Sequence, residues 1–155
     1  MVYSMVNLKK GFTLIELLVA ISIIAILTVV SVAGYMTAQK RGRDVKRKGD
    51  ARSIQQALEQ CYALDGQYPA AVTPGSALTC GTSQTVINLV PYDPKNSGTY
   101  TYTGKYSVAA NRLSYCLCFL LEKTGSGNAA VLGSGGSCTY LNGATSNYQC
   151  VNSQQ

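Results

Sequence analysis

The chain has 155 residues, room for one small domain with one appended element, and its 13 Lys and Arg against seven Asp and Glu give a net charge of +6. It contains no His and no Trp, so the usual general base at neutral pH and the commonest metal ligand are both missing, which leaves a secreted enzyme little to work with. The charge is not laid out as in a general nucleic-acid binder: residues 40–52 hold seven cations and two anions, whereas residues 53–155 hold four of each.

Between Lys10 and Lys40 the only charged side chain is Glu16, and residues 17–36 form an uncharged run of 20 rich in Ile, Leu, Val and Ala. That is the length a helix needs to cross a bilayer. Its apolar residues occur all round the circumference, which a one-sided soluble helix does not show. An ordinary secretory signal competes with this reading, and Ser31-Val32-Ala33 loosely fits the small-residue cleavage site it would need. Beyond Gln39 the pattern turns amphipathic, with Val45, Ile54, Ala57, Leu58 and Cys61 as an apolar set over a Lys/Arg/Asp background. No Pro occurs before Pro69, so nothing breaks the helix between the two stretches; Gly34, Gly42 and Gly49 only weaken it. The pattern predicts one helix over residues 12–64, roughly 80 Å long at ~1.5 Å per residue, stopped by Asp65-Gly66.

Residues 67–98 read as loop and hold all four Pro among Gly, Ser and Thr. Residues 99–103, TYTYT, alternate as a half-exposed strand does, and residues 106–110 suggest a second short strand. The strongest strand pattern is SYCLCFLLE at 114–122: Leu117, Phe119 and Leu121 share one face, and Cys116, Cys118 and Leu120 the other. The Leu/Phe face is expected on the amphipathic helix and the Cys face toward the C-terminal tail. Residues 125–136 are Gly/Ser-rich and read as a mobile segment, followed by a short strand at 139–141 inside a polar loop bracketed by Cys138 and Cys150.

All six Cys lie between residues 61 and 150, a disulfide framework for an oxidising compartment. Zinc ligation is the rival reading, but the spacing gives one CxC, Cys116 and Cys118, and no CxxC. Fifteen connectivities are open. A Cys61–Cys80 bridge would close the helix end onto the following segment, stabilising it by roughly 3 kcal/mol, and Cys116 and Cys118 would then join Cys138 and Cys150 in either order.

The left flank of the apolar run is the most specific feature. KKGFTLIELLVAISIIAIL resembles the class III leader and N-terminus of type IV prepilins and type II secretion pseudopilins. RGRDVKRKGDARSIQQALEQCYALDGQYP and VPYDPKNSGTYTY are similar, more loosely, to the polar half of the pilin helix with its terminal turn and to the loop entering the sheet; beyond Tyr106 no particular member is matched. The resemblance implies an α+β pilin-like fold: a long N-terminal helix, half transmembrane, packed on a small antiparallel sheet with a disulfide-tied C-terminal region. It divides the chain into a leader (1–11), a transmembrane and assembly helix (12–36), an amphipathic continuation (37–64) and a globular part (65–155). It also implies cleavage by a prepilin peptidase between Gly11 and Phe12, N-methylation of Phe12, and Glu16 as the assembly carboxylate that meets the N-terminal amine of a neighbouring subunit. The partners implied are further copies of the chain in a helical filament, an assembly ATPase and an inner-membrane platform protein. The implied location is a single-pass cytoplasmic membrane precursor with an external C-terminal domain, then an extracellular filament. No catalytic residue, cofactor or metal is expected. Two features depart from the family pattern. The apolar run has Ala33 and Gly34 but no mid-span Pro, and residues 125–155 contain no Asp or Glu for the calcium loop of major pseudopilins.

Each element of the motif has a physical rationale. Gly11 leaves an extended backbone open to a protease cleft, and Lys9 and Lys10 hold their end at an anionic cytoplasmic leaflet. Glu16 is costly one turn inside an apolar helix unless it is paired; a bland alternative is that it caps its own helix N-terminus. For the basic collar at 40–52 the bland reading is a solvated face that pairs with neighbouring subunits, and the sharp one is weak binding of nucleic-acid or wall-polymer phosphates. The functional alternatives to a pilus subunit are a minor pilin or pseudopilin of a secretion system, and a monomeric membrane-anchored binding protein.

Overall fold

The computed structural model describes residues 11–81, 84–141 and 143–155. Leu14–Asp65 form one helix, α1. Thr13 opens it, and Gly66 closes it by taking a left-handed backbone (φ 66°) and donating its N–H to the Tyr62 carbonyl at 2.8 Å. Contacts divide the chain into two compact units, one ending at Ala38 and the other formed by Gln39–Gln155.

In the second unit, Leu78–Cys80 (β1) and Gln84–Ile87 (β2) make an antiparallel hairpin. Tyr106–Val108 (β3), Tyr115–Leu120 (β4) and Tyr148–Asn152 (β5) form a three-stranded antiparallel sheet with β4 in the centre. The core joins Ala51, Ile54, Ala57 and Leu58 of α1 to Leu117 and Phe119 of β4, closed by Tyr68, Val90, Tyr102 and Tyr115. These α1 positions recur at three and four residues and so share one stripe; the odd positions of β4 share one face. Each fully buried Leu or Phe contributes about 2 kcal/mol, so the helix stripe and the Leu/Phe face select each other. The opposite face of β4 carries Cys116 and Cys118, which with Cys150 and Ala129 make a second, smaller core.

The chain thus has the expected α+β architecture, but four local expectations fail. Residues 99–103 are not a strand. Left-handed Asn96 (φ 44°), Gly98 (φ 59°) and Gly104 (φ 69°) turn the backbone on both sides of them, and Ser97 and Tyr100 exchange backbone hydrogen bonds of 3.1 Å across a tight turn. The tyrosines are held by partners instead of alternating between faces: Tyr102 stacks on Phe119 at 3.9 Å and donates to Asp50 at 2.8 Å, while Tyr100 lies over Arg47. Residues 139–141 are not a strand either; the tail strand is β5, whose Cys150 pairs in register with Cys118 of β4. The stretch at 67–98 contains the β1–β2 hairpin, and its Val90 is buried and exchanges backbone bonds of 2.9 Å with Gly75 and Ser76. The Gly-rich stretch at 125–136 is packed rather than loose. Gly127, Asn128 and Ala129 donate their N–H groups to the carbonyls of Ser146 and Tyr148, and a Cβ at Gly127 would fall on the Tyr148 carbonyl. Gly here permits close approach of two backbones, which composition alone does not distinguish from mobility.

Candidate functional site

The site has two parts, and each is built from its own unit. In the first, α1 begins with Thr13 as N-cap and Glu16 as the third helical residue. Glu16 Oε2 accepts from Thr13 N at 2.9 Å and from Thr13 Oγ1 at 2.8 Å, while Glu16 N donates to Thr13 Oγ1 at 3.3 Å. This is a reciprocal capping box, and it satisfies backbone donors that a helix start leaves free. The bland alternative for Glu16 is therefore present in the isolated chain. It occupies one carboxylate oxygen only; Oε1 takes part in no hydrogen bond among the described residues. Gly11 is exposed with open space around it, and Phe12 is 89% exposed. Lys9, Lys10 and the rest of the expected leader up to residue 10 lie outside the described residues.

The large apolar side chains that follow, from Leu14 to Met36, are all exposed where described, Ile21, Ile26 and Val29 at 59%, 67% and 74%. Its hydroxyls need no outside partner: Ser22, Thr28 and Ser31 each donate to a helix carbonyl one turn back at 2.8 Å. A helix that satisfies its own polar groups and turns apolar side chains outward all round suits a bilayer or a bundle of like helices, not water.

The second part is the collar. Three of its seven cations are used inside the unit. Arg47, fully buried, donates from Nε and Nη2 to the two carboxylate oxygens of Asp93 (2.6 and 2.8 Å) and from Nη1 to Asp44 (2.8 Å) and Glu122 (2.9 Å). Arg43 grips Glu122 through two bonds of 2.6 and 2.7 Å, and Lys48 donates to the Ser126 carbonyl. Asp44 accepts in addition from the backbone N–H groups of Glu122 and Lys123, and Asp93 from those of Lys95 and Asn96. Tyr100 lies between two cations, with Arg47 4.9 Å and Lys95 4.4 Å from its ring centre.

The electrostatics follow from these contacts. The Arg43 hydrogen bonds, helped by Arg47, outweigh burial and hold the Glu122 carboxyl down at about 2. Burial pushes Asp93 up, but Arg47 and the two N–H donors more than offset it, so its carboxyl lies below the ordinary range. Burial would lower Arg47, yet its three carboxylates hold it protonated above its ordinary value. Among the described residues no buried side-chain N or O atom lacks a hydrogen-bond partner, the condition under which a buried ionic network specifies a fold. The expectation of the collar as a solvated face is therefore corrected in part: Arg43, Arg47 and Lys48 form a clamp inside the unit, and the other four cations stay at the surface. Sequence reasoning missed the clamp, although Asp44 and Arg47 at i,i+3 and the equal cation and anion counts after residue 52 were the available signal.

The structure pairs Cys61 with Cys80, Cys116 with Cys138, and Cys118 with Cys150. The last four sulfurs lie within 4.8 Å of one another, and as two disulfides they present no thiolate for a metal. These bridges fasten the tail to β4 and lie in the other unit from Gly11, Phe12 and Glu16.

The prokaryotic N-terminal methylation motif matches residues 6–32, the stretch holding Gly11, Phe12 and Glu16. The type IV major fimbrial protein FimA of Dichelobacter nodosus is 27% identical over 150 residues, covering 94% of this chain and 90% of its own. No solved structure matches the chain. A methylation motif at the head of a self-capped apolar helix, continued into the helix of a disulfide-tied antiparallel sheet, and alignment with a fimbrial subunit over almost the whole chain make this protein similar to the subunits of type IV pili.

Proposed function

We propose that the protein is a structural subunit that polymerises with copies of itself into a type IV pilus or related filament. The observation that carries this is the apolar surface of residues 17–36, exposed where described and headed by Glu16 with one carboxylate oxygen unused among the described residues. Before assembly that surface sits in the cytoplasmic membrane with the disulfide-bonded unit outside. After assembly it is buried against the same helix of other copies, and the Glu16 carboxylate meets the methylated amine of a neighbouring Phe12. Such a desolvated pair favours one axial register, because a missing partner leaves a buried charge alone.

In this reading a prepilin peptidase cuts between Gly11 and Phe12, and an assembly ATPase and an inner-membrane platform protein supply the energy and the base for growth. The chain itself works as a building block and not as a catalyst. The test is intact-mass measurement and N-terminal sequencing of protein from sheared filaments, with electron microscopy of the same fraction. A chain starting at N-methylated Phe12 within filaments is expected. A mature start beyond Ala33 would make the apolar run an ordinary secretory signal and overturn the reading.

A further inference from the structure

We propose that Lys40, Arg41 and Lys46 form a binding surface for anionic phospholipid headgroups, which holds the unassembled subunit at the outer leaflet. The proposal rests on the reading of residues 17–36 as a membrane span. Its starting point is a charge imbalance that the fold creates. Lys40, Arg41, Lys46 and Arg52 are exposed and make no hydrogen bond or ion pair among the described residues.

A neighbouring copy is poorly equipped to neutralise them. Asp44, Asp93 and Glu122 are taken by Arg43 and Arg47. Asp50 accepts from Tyr102, and Glu59 from Tyr68 and Tyr115. Of the side-chain carboxylates among the described residues of 39–155, Asp65 alone is exposed without such a bond. Asp50 and Glu59 keep their charge, but residues 39–155 hold 11 Lys and Arg against six Asp and Glu. Pairing between identical copies, the bland reading of the collar, therefore leaves an excess of cations whose complementary charge has to come from elsewhere.

Chain position indicates the source. Lys40 and Arg41 follow Met36, the last residue of the uncharged run, by about one helical turn. Side chains on a helix lean toward its N-terminus, here toward the span, and the long apolar stems of Lys and Arg let the charged ends reach back further. Lys46 lies within about a Debye length of them along the helix, whereas Arg52 lies ~9 Å beyond Lys46 and is largely screened from a surface at Lys40. A phosphate layer at the end of the span would thus engage the first three cations and spare the fourth. A nucleic acid laid along the helix would use all four.

The full chain in bilayer discs of equimolar phosphatidylcholine and phosphatidylglycerol, with a spin-labelled trace of one lipid or the other, distinguishes these cases. Lipid in contact with the span gives a motionally restricted signal, and its size for each label gives relative association. Phosphatidylglycerol should be preferred by about fivefold for each cation engaged. The preference should fall by about 25-fold in Lys40→Gln/Arg41→Gln and shrink with added salt, while Arg52→Gln leaves it as it was. Lys9 and Lys10 are common to all variants, so the difference between variants reads the collar alone. An unchanged preference in the double variant, or an equal loss in Arg52→Gln, would overturn the proposal. So would erasure of the preference by dissolved duplex DNA, which would assign the collar to nucleic acid. A missing restricted signal for both lipids would mean that the span reading itself fails.

Discussion

Replacing Arg47 with Met tests the clamp. The substitution keeps most of the buried volume but removes the charge that faces Asp93, Asp44 and Glu122. The three carboxylates are not equally orphaned. Glu122 keeps both bonds from Arg43, and Asp44 keeps the N–H groups of Glu122 and Lys123. Asp93, whose side chain is 2% exposed, loses its bidentate partner and retains only two backbone donors. Removing one partner of a buried pair costs about 3–5 kcal/mol, and the surviving contacts place Arg47→Met near the lower end. With a denaturant slope of about 1–3 kcal/mol/M, the urea midpoint of the full chain in detergent micelles should drop by about 1.5 M near neutral pH. Near-ultraviolet circular dichroism of the packed tyrosines would follow the transition. Adding Asp93→Asn to Arg47→Met removes the uncompensated charge and should recover part of the loss.

The pH dependence gives a sharper signature. In the wild type Glu122 and Asp93 titrate below their unfolded values, so the stability they contribute is complete above pH ~4.5 and is lost as pH falls toward the Glu122 value of about 2. In Arg47→Met the folded Asp93 should titrate above its unfolded value. Its penalty is then absent in acid and grows as pH rises through ~4. The gap between wild type and variant should therefore narrow on acidification. A midpoint change under about 0.3 M, or a gap that stays constant down to pH ~3, would refute the clamp reasoning.

Glu16→Ala and Glu16→Gln should both insert in the membrane and be cleaved, yet give less sheared filament per total protein; wild-type yield from the Gln variant would mean that the charge is not used in assembly. Gly127→Ala should destabilise the second unit by about 1–3 kcal/mol, because its Cβ meets the Tyr148 backbone, with calorimetry in micelles as the check and an unchanged melting temperature as the contrary result. Lys46→Gln should fold with the wild-type urea midpoint, since Lys46 is exposed where Arg47 is buried. Intact filaments should bind duplex DNA no more tightly than about 10⁻⁴–10⁻⁶ M at physiological salt, and a sub-micromolar, sequence-selective complex would contradict this.

The helix was legible in the residues because it depends on local order along the chain. An uncharged run of the right length, a Lys-Lys-Gly-Phe flank and a single carboxylate one turn in are one-dimensional patterns, and helix α1 needs only neighbours within a turn. The β4 strand was readable for the same reason, since its alternation of Leu/Phe and Cys faces lies in six consecutive residues. What the tertiary structure decided depends on residues far apart. Tyr148–Asn152 is a strand because β4 offers it a partner edge and Cys118 a facing sulfur; its own polar sequence carries little strand signal. Residues 99–103 alternate like a strand, yet left-handed residues on both sides and partners for Tyr100 and Tyr102 on α1 and β4 override that period. The collar shows the difference most plainly. Its seven cations look equivalent in sequence, but burial beside Asp93 and Glu122, 46 and 75 residues along the chain from Arg47, makes Arg47 part of the core and leaves Lys46 in solvent. Which charge is desolvated is set by what folds against it, and that is long-range information which no window along the chain contains.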